Sequence, residues 1–332
     1  MTRAIVSAAA LAAALAAPAL AQDRPVLTVY TYDSFVSEWG PGPIVEERFE
    51  AVCGCDLELF GAGDGAALLG RLRLEGDDTR ADVVLGLDTN LMAEAKETGL
   101  FAPHGAGAVE TDVPGGWDDD VFLPYDWGWF AFVHDTARLA EAPGSFEALR
   151  GADLSLVIQD PRSSTPGLGL ALWIHALYGE DAPAVWADLA PKIVTVTKGW
   201  SEAYGLFLEG EADMVLSYTT SPAYHLIAED DPTKAAAEFE EGHYLQIEVA
   251  GRIAGSGQAE LAGRFLEFML SEPFQSAIPT TNWMYPAVTP EGGLPEGFET
   301  LTTPKTSLLL SPEAAREARP EAIADFREAL SR

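Results

Sequence analysis

Apolar and polar positions change rhythm along this chain often enough to place most of its elements. A short β-rich run at 27–30 is followed at 43–52 by Ile44, Val45, Phe49 and Val52, spaced as one face of a helix. A second strand is predicted at 56–60, a second helix at 66–74, and a third strand with a continuous apolar core at 81–87. A third helix, 90–98, ends at Gly99. Strands alternating with helices in this way predict an α/β fold, with a mostly parallel sheet flanked by helices on both faces.

The rhythm then breaks and resumes. Residues 109–120 are rich in Gly, Pro and Asp and are predicted to form an exposed loop. The aromatic run VFLPYDWGWFAFV at 121–133 reads as an extended strand crossing between two lobes. A second α/β region follows: strands at 155–158, 193–196 and 214–217 alternate with helices at 166–178, 201–208 and 222–229. Residues 244–249 alternate as a returning strand should, 258–270 and 273–277 read as helices, and 312–330 as a charged amphipathic terminal helix. No internal repeat is visible.

Length and composition narrow the class. Residues 1–21 read as a cleavable secretory signal, with Arg3 at its start, an Ala/Leu-rich segment at 5–17 and the small-residue site Ala19-Leu20-Ala21. That apolar segment is short for a membrane anchor, and no later one has eighteen uncharged apolar residues in a row. A soluble, exported, periplasmic protein is therefore expected. About 310 residues remain, enough for two lobes with a cleft between them. Lobe 1 is assigned to 22–125 with about 250–283, and lobe 2 to 126–249 with about 284–332. The formal charge of −32, or −33 without Arg3, argues against nucleic acid or anionic lipid as partner. A generic acidic surface, or adaptation to salt, explains it better than a device for one cation. Cys53-Gly54-Cys55 holds both cysteines; a local structural disulfide is the favoured reading and free thiols the alternative. Two sulfurs without nearby histidines make no zinc site.

Open α/β sheets take ligands at the carboxyl ends of their strands. In this chain those junctions carry rings, hydroxyls and one carboxylate: Tyr32 with Trp39 nearby, Gly63-Asp64-Gly65, Ser163-Ser164-Thr165-Pro166, Gly199-Trp200-Ser201, and Tyr218-Thr219-Thr220-Ser221-Pro222 with Tyr224. Thr165-Pro166 and Ser221-Pro222 each resemble a hydroxyl N-cap followed by proline at the first helical position. Capping alone is one reading; attraction of an anion or polar ring edge to the helix start is the other. Asp64 could likewise be only a cap, or a carboxylate that its glycine neighbours open to a ligand. Rings at Tyr32, Trp39, Trp200, Tyr224 and Trp283 are core residues in one reading and stacking partners for a planar or cationic ligand in the other. Catalytic patterns are absent: the five histidines are scattered, and neither His-Glu-x-x-His nor Gly-x-Ser-x-Gly occurs. Gly61-Ala62-Gly63-Asp64-Gly65-Ala66 imitates a dinucleotide fingerprint, but an acid inside that turn would repel pyrophosphate, so no cofactor is expected.

The strings TVYTYDSF, WGPGP, RADVVLGLD, QDPRSSTPGLGL, VTVTKGWSEAYGLFL, VLSYTTSPAYH, EGHYLQIEVA and NWMYPA resemble the thiamine-binding periplasmic proteins of bacterial ABC transporters, over essentially the whole mature chain. The resemblance implies a type II periplasmic-binding-protein fold, two α/β lobes joined by a hinge that close on thiamine, thiamine monophosphate or thiamine diphosphate. It implies ligand contacts at Asp64, Gly65, Ser164, Thr165, Trp200 and the run Tyr218, Thr219, Thr220, Ser221 and Pro222. It also implies that Tyr32, Trp39, Tyr224 and Trp283 enclose the aminopyrimidine and thiazolium rings. The sequence departs from the family in its acidity, a shorter segment near Gly151, and Ser163 where threonine is usual. A monomeric receptor serving an inner-membrane permease is the expected function, with no catalytic or metal-binding residues. The rivals are the same fold gripping ferric iron or a polyamine, with Tyr218 and Tyr224 as an iron-binding pair, and a periplasmic hydrolase of thiamine phosphates.

Overall fold

Strand direction sorts the structure, a computed structural model that describes residues 24–331; the expected signal at 1–21 lies outside the described residues. The chain opens with β1 (Val26–Thr31), α1 (Gly42–Cys53), β2 (Asp56–Gly61), α2 (Gly65–Glu75), β3 (Val83–Asp88) and α3 (Thr89–Glu97). β1 pairs in parallel with both β2 and β3. Every residue of β3 is buried, as its unbroken apolar run requires. After the short β4 (Phe101–Ala102), the aromatic run forms the long β5 (Leu123–Asp135).

The second parallel group follows: α4 (Phe146–Gly151), β6 (Leu156–Gln159), α5 (Thr165–Tyr178), α6 (Ala182–Leu189), β7 (Ile193–Thr197), α7 (Trp200–Leu208), β8 (Met214–Tyr218) and α8 (Pro222–Ala228). β6 pairs in parallel with β7 and β8. Then come β9 (Lys234–Ala236), the long β10 (His243–Ile253), α9 (Ala259–Met269), α10 (Glu272–Gln275), α11 (Ile278–Thr281), β11 (Tyr285–Pro286), β12 (Ser307–Leu308) and α12 (Pro312–Leu330).

The main strand order is β2-β1-β3-β10-β5-β8-β6-β7, with the short β4 and β12 paired to β10 and β9 and β11 paired to β5. β10 and β5 are antiparallel to each other and to their outer neighbours, so two long strands join two parallel groups. The amino-terminal part of β5 pairs with β10 and its carboxyl-terminal part with β8. A single strand thus serves both halves.

Burial explains the helices that flank them. Val45 and Phe49 of α1 meet Phe265 and Phe268 of α9 over Leu27, Val29 and Val83 in one core. Tyr204 and Phe207 of α7 cover Val157 and Val215 in another. The terminal helix α12 packs against α5 and α6 on one side and α3 on the other. Arg316 and Arg319 of α12 reach Glu97 and Glu94 of α3, while its Phe326 ring meets Trp186 of α6 edge-on. Sequence periodicity overlooks α4 and α6. Each is under three turns long, and α6 carries a proline in its first turn, where the missing N–H is harmless. Cys53 and Cys55 are joined by a disulfide around Gly54, whose φ of 68° ends α1 in the left-handed region.

Candidate functional site

A cavity of about 370 Å³ lies where strand ends of both parallel groups meet. Its organising group is Asp64, the residue before α2. The Asp64 carboxylate does not cap its own helix; Oδ2 instead accepts from Ser164 Oγ at 2.7 Å and from the Trp200 backbone N–H at 3.2 Å. One carboxylate from the β1–β3 half is thereby bonded to two helix starts of the β6–β8 half. Ala67 N–H also donates to Ser163 O across the same seam. The approach is close enough to require Gly65, because a Cβ there would stand 2.5 Å from Thr165 Oγ1. Asp64 keeps part of its surface open to the cavity, yet burial pushes its carboxyl up to about 6, against the hydrogen bonds from Ser164 and Trp200.

Aromatic rings form the walls and meet across the seam. Trp39, 53% exposed at the mouth, lies 6.1 Å from Trp200 by ring centroids. Tyr224 and Trp283 are 5.3 Å apart and nearly perpendicular. Trp283 has φ of 57°, a left-handed conformation that a bulky residue rarely adopts, so the backbone holds this ring in place at a conformational cost. Trp200 is fixed from its edge and its back. Its Nε1–H donates to Ser217 Oγ at 2.8 Å, and its ring stacks on Tyr204 at 5.0 Å. Tyr204 Oη in turn bonds His225 Nε2 at 3.0 Å, and His225 Nδ1 lies 2.6 Å from Glu229.

The floor is polar. Tyr32 Oη donates to Glu248 Oε2 at 2.9 Å, and Asn282 Nδ2 donates to Tyr32 Oη at 2.9 Å and to Asp126 Oδ2 at 2.6 Å. No lysine or arginine is among the described residues lining the cavity. The site therefore offers flat apolar surface and carboxylates to a ligand, and no cationic side chain.

Residues 42–276 match the family of bacterial extracellular solute-binding proteins. The thiamine-binding periplasmic protein of Escherichia coli (strain K12) is 56% identical over 311 residues, covering 93% of this chain and 94% of the relative. Its counterpart in Salmonella typhimurium is 55% identical, with 96% of each chain covered. A solved structure of a periplasmic thiamin binding protein superposes with a TM-score of 0.91 at 56% identity, covering 93% of this chain and 97% of that one. This chain belongs to the thiamine-binding periplasmic protein family. Its fold is accordingly that of the type II periplasmic binding proteins, with β5 and β10 as the two crossing strands.

The residues expected from the sequence to contact a ligand divide into two sets by their place relative to the cavity. Tyr32, Trp39, Asp64, Thr165, Trp200, Tyr218, Ser221, Tyr224 and Trp283 all face the cavity. Gly65, Ser164, Thr219, Thr220 and Pro222 stand behind it: Thr219 and Thr220 are fully buried, and the Thr220 hydroxyl points at Met284 Sδ, 3.5 Å away. Both expected hydroxyl caps need correction. The N-cap of α5 is Ser164, one residue earlier than Thr165, and its hydroxyl is committed to Asp64. Ser221 does precede Pro222 of α8, but its Oγ bonds Ser217 Oγ and accepts from Tyr218 N–H, so it caps nothing. Ser164 is taken by a distant partner, and Ser221 by the strand end just before it.

Sequence reasoning missed Glu248, Asn282 and Tyr204 at this site. The only early signal was their place in the strings EGHYLQIEVA, NWMYPA and KGWSEAYGLFL. His225, Glu229 and Asp231 bring ligand atoms within 4.8 Å of one another. Lys234 Nζ already sits 3.0 Å from Asp231, and His225 Nδ1 lies 2.6 Å from Glu229, so a metal ion would have to displace an ammonium and break the contact between imidazole and carboxylate.

Proposed function

We propose that this protein is a periplasmic receptor that captures thiamine, thiamine monophosphate and thiamine diphosphate and delivers them to an inner-membrane ABC importer. The observation that carries this reading is the Asp64 carboxylate bonded across the seam, beside a cavity walled by Trp39, Trp200, Tyr224 and Trp283. Thiamine presents a flat aminopyrimidine for stacking and a permanent thiazolium cation for ring faces or carboxylates. Trp200 and Tyr224 take the rings, while Ser201, Ser221 and Thr165 offer neutral donors to the hydroxyl or phosphate end. The residues set behind the cavity hold these in register.

Lobe 1 comprises 22–125 with about 250–283, and lobe 2 comprises 126–249 with about 284–332, hinged in β5 and β10. Ligand touching both lobes favours the closed state, and the permease reads that shape. The protein works as a monomer without catalysing a reaction. No helix among the described residues is long and apolar enough to cross a membrane, which fits release into the periplasm after signal cleavage. Burial and the surrounding acids Glu248, Asp64, Asp126 and Asp88 raise the Tyr218 phenol, and burial and Glu229 raise Tyr224, so both stay protonated when no cation is bound. Titration of the purified protein with all three thiamine forms tests the reading. Saturable binding is expected, and release of inorganic phosphate in a single turnover would replace the receptor by a hydrolase.

A further inference from the structure

Three carboxyls lie side by side across the sheet beneath the aromatic walls. Asp88 ends β3, Glu248 is its register partner on β10, and Asp126 on β5 is the register partner of Glu248 on the other side. Asp88 and Asp126 are fully buried and Glu248 nearly so. Like charges directly opposite on neighbouring strands repel, and three buried anions in a row would be prohibitive. The row must therefore hold protons, and hydrogen bonding identifies where the charge stays.

Glu248 is surrounded by donors. Its Oε2 accepts from Tyr125 Oη at 2.5 Å and Tyr32 Oη at 2.9 Å, and its Oε1 from Gln246 Nε2 at 3.0 Å. Asp126 has one donor, Asn282, and its Oδ1 has no partner. Asp88 likewise has Asn90 Nδ2 on Oδ2 at 2.7 Å and nothing on Oδ1. Donors favour the ionised form of a carboxyl, and their scarcity favours the protonated form. Burial and the neighbouring Glu248 hold Asp126 far above the usual carboxylate range. Of the three acids, Glu248 alone lines the cavity. The titratable groups facing it are Tyr32 just after β1, Asp64 before α2, Asp88 on β3, Tyr125 and Asp126 on β5, and Tyr218 on β8.

We propose that Glu248 is a specificity-determining residue of this site, the counter-ion on the cavity floor that selects a cation-bearing ligand, with Tyr32, Tyr125 and Gln246 as the positioning residues that hold its carboxylate toward the cavity. A single negative charge in the row then meets a single positive charge in the ligand. This inference rests on the thiamine reading and adds the residue that distinguishes the cation from a neutral ring of the same shape.

The test compares calorimetric titrations with thiamine and with a neutral isostere in which an uncharged aromatic ring replaces the thiazolium. The wild type should prefer thiamine, and E248Q should lose about tenfold or more of that preference, since the electrostatic contribution is removed while ring stacking remains. D126N should keep the preference, whatever it does to the two affinities together, because that carboxyl is already neutral. Equal losses for both ligands in a folded E248Q, or loss of preference in D126N to the same extent, would overturn the proposal. Should E248Q fail to fold, Y125F removes one donor from the same carboxylate. A reduction in preference of about threefold would support the proposal and an unchanged preference would overturn it. A wild type that binds both ligands without preference overturns this inference alone, whereas a wild type that binds neither overturns the functional reading and this inference with it.

Discussion

The walls of the cavity and its floor are built on opposite principles. Much of the wall is local: Trp200, Tyr218, Ser221 and Tyr224 come from one stretch of 25 residues at or just beyond strand ends, and Trp39 and Trp283 complete it from elsewhere in the chain. The floor is assembled from afar, since Tyr32 and Glu248 are 216 residues apart and Tyr32 and Asn282 are 250 apart. Rings on the walls interact through area and shape, which tolerate small displacements. Carboxyls on the floor interact through charge and proton placement, which do not. The wall should therefore govern how tightly any planar ligand is held, and the floor which charge it carries.

The largest effect expected on the wall side comes from Trp200→Ala. Removing a ring that touches the cavity, stacks on Tyr204 and faces Trp39 should cost about 100-fold in affinity for thiamine and both phosphates alike. Calorimetry with the three ligands checks it, and a loss confined to the phosphates would move Trp200 from ring stacking to the anion end.

Asp64→Asn comes next, because it weakens the bond across the seam and removes a charge. A loss of about tenfold for thiamine is expected, together with a flatter pH profile. In the native protein the Asp64 carboxyl ionises at about 6, so thiamine affinity should decline as pH falls through that value and should decline less in the variant. An identical profile in both proteins would remove Asp64 from the electrostatics of binding.

These contrasts also describe what the sequence makes legible. Element order was readable because apolar periodicity is a local property, and Trp200 and Tyr224 were readable as candidates because rings beside strand ends stand out. Glu248 was not. In the strand HYLQIEVAGRI it looks like an ordinary alternating polar residue, and only the pairing of β10 with β3 and β5 puts it between Asp88 and Asp126. The caps failed for a related reason: Ser164 and Ser221 have the chemistry of N-caps, but Asp64 and Ser217 reach them first. The Ser164 hydroxyl is claimed from 100 residues away, the Ser221 hydroxyl from the strand end four residues earlier.

A third, smaller effect concerns stability without ligand. Burial raises Asp64 to about 6 and Asp88 to about 7, against about 3.9 for an exposed aspartate. Between about pH 4 and pH 7 the folded protein then holds protons that the unfolded chain has released, so these groups stabilise the fold most at the acid end and progressively less as pH rises. Burial raises the Asp126 and Glu248 carboxyls in the same direction. Carboxyls held low, such as Asp160 by its hydrogen bond to Arg162, oppose this only below about pH 4. The melting temperature of the ligand-free protein should fall by a few degrees from pH 5.5 to pH 8, and D88N should flatten that slope. A melting temperature that rises over this interval would mean that the floor is ionised throughout.

The smallest effect belongs to the support behind the wall. Tyr204→Phe keeps the ring under Trp200 and removes only the hydroxyl bonded to His225, so affinity should change by no more than about threefold. A loss as large as that of Trp200→Ala would mean that the hydrogen-bonded relay, and not ring stacking, fixes the wall.

Calorimetric titration of the purified protein with thiamine at pH 7.5 probes the receptor reading most directly. One saturable site with a dissociation constant of about a micromolar or below is expected. Absence of heat and of saturation with thiamine and with both phosphates would contradict it.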